Sequence, residues 1–323
     1  MVKILHIRRI PAGGYDGTDN YCQRLHKYLA ADEECQVLTV PDIPQTSSIF
    51  NYAYNEDTLR SFIAQADIVH VNGYTALGTR QALRMAKLMG KKVVYTAHWH
   101  PFSKLRRPLL GRLFFEVMLK PYIKKYADVV TTINNEDTAF FRAFHHNVVQ
   151  IPHWNVNDTK PDASIPRKPN MIVFVGRIND PVKGFFHILS LPQGVYDIHC
   201  VGKGEMNTDR HDITQHVNIP QADLDRLYAQ ASLVVIPSKY EAFSFAALEA
   251  MAMGAPVVMS QYVRIADYLD GINGYSIFHY GDTAEFCDKV RQTIGKGVDI
   301  DSVLSTFDPK RIISIYKQLY MNL

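Results

Sequence analysis

Short runs of Val and Ile alternate with longer helical patterns in both halves of this chain, and this rhythm restricts the fold more than any other feature. In the first half the runs are Val2–Ile7, Gln36–Val40, Ile68–Val71, Lys92–Thr96, Val129–Ile133 and Val148–Ile151. Helical patterns lie between them near 18–30, 57–65, 77–88, 104–126 and 136–145. The second half repeats the order, with runs at Met171–Val175, Asp197–Val201, Val217–Ile219, Leu233–Ile236 and Pro256–Met259 and helices near 222–230, 244–253 and 282–294. Strands apolar on both faces, separated by helices, imply a parallel sheet covered on both sides. The polar, proline-bearing stretch 155–169 reads as a linker. At about 150 residues per domain, 323 residues suit two domains. The expectation is an α/β protein with two Rossmann-like parallel-sheet domains, 1–155 and 170–306, followed by a closing helical segment, 307–323. In such sheets ligands bind beyond the carboxyl ends of the strands. The residues just after each run therefore matter most.

Composition removes several function classes. The four cysteines (Cys22, Cys35, Cys200, Cys287) are scattered, which fits a reducing cytoplasm and no disulfide framework. The histidines show no ligand spacing, so His98/His100 and His145/His146 read as loop or strand-end residues and no metal is expected. The first ten residues carry Lys3, Arg8 and Arg9 and do not resemble a signal peptide. No run of about 20 apolar residues is present to span a membrane. Charge is uneven: residues 1–152 hold 19 Lys+Arg against 13 Asp+Glu, and residues 153–323 hold 16 against 19. The basic excess therefore lies in the first half.

Four segments carry candidate chemistry. In Pro237-Ser-Lys-Tyr-Glu-Ala-Phe-Ser-Phe-Ala-Ala-Leu-Glu-Ala-Met-Ala-Met-Gly-Ala-Pro256, a buried strand ends at Pro237 and a short loop carries Glu241. Ser244 reads as the N-cap of a helix that Gly254 stops. The N–H groups of Phe245, Ala246 and Ala247 would offer an anion site. Glu241 and Glu249 lie eight apart, and carboxylates beside a phosphate site suit sugar hydroxyls. A lone Glu is more often a loop cap or a solvated helix residue; the whole string reverses that balance. In Val173-Phe-Val-Gly-Arg-Ile-Asn-Asp-Pro-Val-Lys-Gly184, Arg177 and Lys183 are two cations at a strand's end, suited to a diphosphate or simply to solvent. Val201-Gly-Lys-Gly-Glu205 is a glycine turn at Gly202 and lacks a dinucleotide fingerprint. Pro11-Ala-Gly-Gly-Tyr-Asp-Gly-Thr-Asp19 follows the first strand, and its glycines, Gly14 and Gly17 among them, would let backbone approach a phosphate. His98 ends the strand Val93–Thr96 at the expected site edge.

These segments together resemble the retaining, GT-B-fold glycosyltransferases of family 4. That family carries a Glu, seven residues, Glu motif inside a PSxxEgFgxxxlEAMAxGxPVV string. Pro237, Ser238, Glu241, Phe243, Leu248, Glu249, Ala250, Met251, Ala252, Gly254, Pro256, Val257 and Val258 match it. The resemblance implies a GT-B fold, two Rossmann-like domains facing a cleft, with the final helix Pro309–Tyr320 returning to the first domain. It assigns Glu241 to the donor sugar, Glu249 to the nucleotide ribose, and Arg177 and Lys183 to the pyrophosphate. His98 would touch the sugar, and the Gly202 loop would lie against the base. Gly14, Gly17, Phe243, Ser244 and Phe245 complete the implied donor-binding set. The implied reaction moves a sugar, with retention, from a UDP or GDP sugar to a glycan or lipid-linked acceptor. It needs neither cofactor nor metal, and bacterial surface polysaccharide such as lipopolysaccharide is the expected product class. A non-catalytic nucleotide-sugar-binding subunit and a sugar-nucleotide epimerase or hydrolase on the same fold are the alternatives. The sequence departs from the family at Ala242 and Ser244, where glycines are commoner, and after Met259, where no glycine pair follows.

The stretch Lys104–Lys125 carries seven basic residues and one acid among Leu, Phe, Val and Met. It suits an anionic membrane surface on the cytoplasmic side, or a domain helix that only packs on its sheet. Nothing in it resembles a nucleic-acid-binding motif.

Overall fold

A computed structural model describes residues 1–8, 17–31, 34–39, 53–73, 76–98, 108–154 and 164–323. Gly14, His100, Lys104–Arg107 and the linker residues 155–163 lie outside the described residues. The chain divides into two units, Met1–His153 with Pro309–Leu323, and Trp154–Asp308.

The first unit runs β1 (Val2–Arg8), α1 (Gly17–Ala30), β2 (Cys35–Thr39), α2 (Glu56–Gln65), β3 (Ile68–Asn72), α3 (Ala76–Leu88), β4 (Lys92–Thr96), α4 (Pro108–Phe114), α5 (Lys120–Tyr126), β5 (Val129–Thr132), α6 (Asn135–Arg142) and β6 (Val148–Gln150). Among the described residues its sheet is six-stranded and parallel, in the order β2-β1-β3-β4-β5-β6. The unbroken apolar runs are the reason: β3 is buried along its whole length, as a strand covered on both faces must be. Leu5, Val69, Val93 and Val130 from the sheet pack against Leu59 and Ile63 of α2, Leu83 and Ala86 of α3, and Phe115, Leu119 and Ile123. Burying each such side chain contributes about 1.5–3 kcal/mol. Asn55 and Asn134 accept the Thr58 and Asp137 N–H groups at 3.0 and 2.8 Å, capping α2 and α6.

The helical pattern near 104–126 is continuous from Pro108 onward, with one irregularity. A π-helical turn, Phe115–Leu119, joins α4 to α5, and the Lys120 N–H reaches back to the Phe115 carbonyl. Pro121 lacks the N–H that an α-helix would aim at Val117, and the wider turn accommodates that loss.

The second unit runs β7 (Met171–Val175), α7 (Phe186–Leu189), β8 (Asp197–Val201), β9 (Ile213–His216), α8 (Gln221–Gln230), β10 (Leu233–Ile236), α9 (Phe245–Ala252), β11 (Val257–Ser260), β12 (Tyr275–Phe278), α10 (Thr283–Thr293) and α11 (Ile300–Thr306). Its parallel sheet has the order β12-β11-β10-β7-β8-β9. The strand expected at Val217–Ile219 does not form there; β9 lies just before it. Asn218 turns into the left-handed region at φ 55°, and Pro220 follows, so the apolar pair Val217/Ile219 cannot extend the ladder. Ile213-Thr-Gln-His216 pairs instead, as a more polar edge strand. Strand β12 and the short helices α7 and α11 were not apparent from periodicity.

The closing helix α12 (Pro309–Met321) packs on the first unit. Ile312, Tyr316 and Tyr320, spaced by four, form its buried stripe. The Tyr320 hydroxyl is 2.6 Å from His70 Nδ1 on β3, and Lys317 pairs with Glu34 at 2.5 Å.

Candidate active site

Strand order locates the site in the second unit. β7, β8 and β9 step outward in one direction, and β10 then returns to the other side of β7. The loops leaving β7 and β10 therefore sit side by side where the winding reverses, the position at which doubly wound sheets open a ligand crevice. Arg177 and Lys183 leave β7; Glu241 and Ser244 leave β10.

The two loops are laced together. The Lys239 N–H donates to the Val182 carbonyl at 2.6 Å. Gly184 adopts φ 67° with its α-carbon against the β10 loop, and a Cβ there would stand 1.9 Å from the Pro237 carbonyl oxygen. Asp180 shapes the first loop: its carboxylate accepts the Val182 N–H at 3.0 Å and an Arg177 Nη2–H at 2.5 Å. Burial pushes the Asp180 carboxyl up, but those two donors outweigh it and hold the group below its ordinary value. Lys183 Nζ donates to Glu241 Oε1, and the Ser238 hydroxyl donates to the same oxygen at 3.1 Å. The sequence thus brings Lys183 and Glu241, 58 residues apart, into one ion pair. Arg177 keeps its side chain 72% exposed beside Asp180.

Helix α9 starts at this edge and is buried almost throughout, as an apolar helix must be. Ser244 caps it from φ 110°, ψ 95°, a backbone region that L residues rarely adopt. Its Oγ accepts the Ala247 N–H at 3.3 Å. That N–H is therefore engaged within the helix, which corrects the expectation that Phe245, Ala246 and Ala247 all present theirs to an anion. Glu249 is buried, near the Tyr228 phenol of α8; burial raises that phenol's pKa, and the Glu249 and Asp225 carboxylates add to the effect. Phe243 sits in an aromatic cluster, edge-on to Phe245 and Phe307 at 5.8 and 5.5 Å. There it anchors the start of α9 in the core. Gly202 follows β8 at φ 155°, and a Cβ there would meet the Gly176 carbonyl oxygen at 2.0 Å, so this loop lies against the β7 loop.

In the first unit, Gly17 opens α1 and His98 follows β4. His98 is buried, with Nε2 3.1 Å from the Asn72 carboxamide oxygen, so that nitrogen carries the proton. The ring lies edge-on to Tyr21 at 4.7 Å. Burial pushes its pKa down to about 3, so it is a neutral imidazole at pH 7. Among the described residues no three His, Cys, Asp or Glu side chains are grouped to hold a metal ion.

Sequence reasoning missed Asp180, which orients Arg177, and assigned no role to Ser238, which donates to Glu241. An Asp before a Pro is a turn-initiating signal, so Asp180-Pro181 could have been found. Ser238 stands in the matched string, but its role depends on where Glu241 folds back.

Residues 169–296 match the family described as glycosyl transferases group 1. Over this part of its length the chain is thus similar to group 1 glycosyltransferases. The match lies within the second unit and includes both lacing loops and α9. The chain is 28% identical over 227 residues to an MMP alpha-(1->4)-mannosyltransferase of Mycolicibacterium hassiacum, covering 60% of this chain and 53% of that protein. The chain thus spans between 32 and 59% of the length of the curated relatives it matches. Among solved structures, sucrose-phosphate synthase of Thermosynechococcus elongatus superposes with a TM-score of 0.72 at 18% identity, covering 100% of this chain and 99% of that one. Anabaena HepE in complex with UDP and glucose superposes at 0.70 and 16% identity, with both chains fully covered. The two parallel sheets, each six-stranded among the described residues, have the GT-B fold. No helix of the described residues is long and apolar enough to cross a membrane.

Proposed function

We propose that the protein is a retaining glycosyltransferase of the family 4 type, moving a sugar from a nucleotide-diphosphate sugar to a glycan or lipid-linked acceptor. The observation that carries this reading is the convergence of Arg177, Lys183 and Glu241 on two laced loops at the switch point, with α9 and Glu249 directly behind. Arg177 and Lys183 neutralise the departing diphosphate, so no metal is required. Lys183 exchanges its Glu241 partner for a phosphate oxygen, which releases Glu241 to accept hydroxyls of the donor sugar. Glu249 accepts the ribose hydroxyls. Neutral His98 serves the sugar as an uncharged hydrogen-bonding group. The acceptor oxygen bonds to the anomeric carbon on the face from which the phosphate oxygen leaves, and its proton passes to that phosphate. HepE, whose structure contains UDP and glucose, supports a nucleotide-sugar donor.

The acceptor side rests on α4 and α5. Leu109, Leu110, Leu113 and Val117 are exposed, at 81, 55, 61 and 60%, beside the exposed basic residues Arg112, Lys124 and Lys125. An apolar stripe flanked by cations suits the surface of an anionic membrane, where a lipid-linked acceptor for surface polysaccharide would be met.

Thermal shift with UDP and GDP tests the donor site first. A ligand at 100 times its Kd stabilises by about 2.7 kcal/mol, and Lys183→Ala should abolish the shift. Proton NMR of the first-formed product then tests retention: an α-linked donor should give an α-linked product. A β-linked product, or full donor binding and transfer by Lys183→Ala, overturns the assignment.

A further inference from the structure

On the first unit, α2, α3 and Tyr122 of α5 enclose a groove of about 460 Å³, a size typical of small-molecule sites. It follows one face of α3, along Leu77, Arg80, Arg84 and Leu88, with Arg60 of α2 on one wall. Three guanidinium groups thus line the groove against a single carboxylate, Glu56. Each is held differently. Arg80 lies 4.3 Å over the Tyr122 ring, donates to the Tyr122 hydroxyl at 2.8 Å and contacts Met118 Sδ at 3.8 Å, while its buried Nε has no partner. Arg60 pairs with Glu56 at 3.1 Å in an exposed contact, the kind that contributes little and is readily exchanged. Arg84 is exposed and has no ion-pair or hydrogen-bond partner among the described residues. Arg80 and Arg84 are one turn apart, where like charges repel unless an anion lies between them. The pKa of the Tyr122 phenol is lowered, chiefly by the Arg80 hydrogen bond, with Arg84 and Lys125 adding to the effect. At the far end of the groove Leu88 is 71% exposed, next to Met85 and Met89.

We infer that this groove binds a phosphate monoester carrying a short apolar or sugar moiety, with the phosphate held between Arg60, Arg80 and Arg84. Guanidinium forks match phosphate oxygens in pairs, and a dianion neutralises the α3 repulsion that the described residues leave uncompensated. Gln81 takes no part, because its carboxamide holds the Tyr54 backbone at 2.8 and 3.0 Å. The apolar end of the groove takes the remainder of the ligand. This site shares no residue with the diphosphate residues of the second unit and does not depend on the proposed transfer reaction.

Titration calorimetry on the full chain at low salt tests it with three probes. These are dihexanoyl phosphatidic acid below its micellar concentration, glucose 1-phosphate, and dihexanoyl phosphatidylcholine as a zwitterionic control. Saturable one-to-one binding of phosphatidic acid alone assigns the site to a lipid headgroup. Binding of glucose 1-phosphate, alone or as well, assigns it to free phosphate esters. In either case Arg84→Gln should weaken binding at least tenfold, and Arg60→Gln with Arg84→Gln should abolish it. Both residues are exposed, so an unchanged melting temperature confirms that the variants fold. Arg80 is left intact because it braces Tyr122. UDP affinity, measured on the same samples, should not move. No saturable binding by either phosphate ester, equal binding of phosphatidylcholine, or undiminished affinity in the double variant overturns the inference.

Discussion

Ser244 holds a backbone conformation at φ 110° that costs an L residue on the order of 1–3 kcal/mol. The resembling family commonly has glycine there, and the serine compensates in part by capping α9 through Oγ. The two effects separate by substitution. Ser244→Gly relieves the strain and loses only a few tenths of a kcal/mol of capping. Ser244→Ala keeps the strain and loses the cap. Urea denaturation should therefore find the alanine variant roughly 2–4 kcal/mol less stable than the glycine variant; a gap no larger than the roughly 1 kcal/mol of capping would show that φ is relaxed in solution. At the same scale, Arg177→Ala and Lys183→Ala should each lower kcat by about 10²–10³ with the fold intact, since the proposed reaction has each cation meet a developing diphosphate charge. Wild-type turnover in both would remove these residues from the reaction. Gly184→Ala should be more damaging to stability than its size suggests, because the Pro237 carbonyl occupies the space a Cβ needs.

Helices α4 and α5 show how one element can satisfy two readings. Phe115, Leu119 and Ile123 pack into the core, which is what a domain helix does. Leu109, Leu110, Leu113 and Val117 face outward and leave apolar surface beside Arg112, Lys124 and Lys125. The basic, apolar character of the segment was legible in the sequence. Which leucines point outward was not, because the π turn at Phe115–Leu119 shifts the helical phase. Liposome flotation checks the membrane role. Wild type should float with anionic vesicles and dissociate as salt rises, each basic residue near the surface contributing about 1 kcal/mol. Leu110→Ser with Leu113→Ser and Val117→Ser, or Lys124→Glu with Lys125→Glu, should stay with the soluble fraction. Unchanged flotation in both sets would assign the helix to packing alone.

Across the first unit, burial lowers the pKa values of His70, His98 and His153. Each is neutral when folded and takes up a proton near pH 6.5 when unfolded. The unfolded state then binds more protons, so the stability these residues support is complete above that pH and declines as pH falls below it. Each histidine contributes a slope of up to about 1.4 kcal/mol per pH unit. His70 also meets Tyr320, so α12 should loosen with the sheet it covers. Urea unfolding between pH 7.5 and 5.5, a range above ordinary carboxylate titration, should show this decline. It should be shallower in His98→Gln. A flat profile would mean that these rings titrate within the fold as they do in the unfolded chain.

The sequence alone determined the layered α/β architecture, because unbroken Val and Ile runs such as Ile68–Val71 can be buried only between helices. It also made the Glu241–Pro256 segment legible, since a strand, a cap, an apolar helix and a glycine stop are all local signals. Tertiary structure alone decided that β10 lies beside β7, which is what brings Lys183 to Glu241 and sets Asp180 and Ser238 behind them. It likewise placed β9 at Ile213–His216, because the left-handed turn at Asn218 prevailed over apolar alternation. Local signals record what a segment can bury or cap. Partnerships across 58 residues depend on strand order, and strand order is set by the packing of the whole sheet rather than by any segment of it.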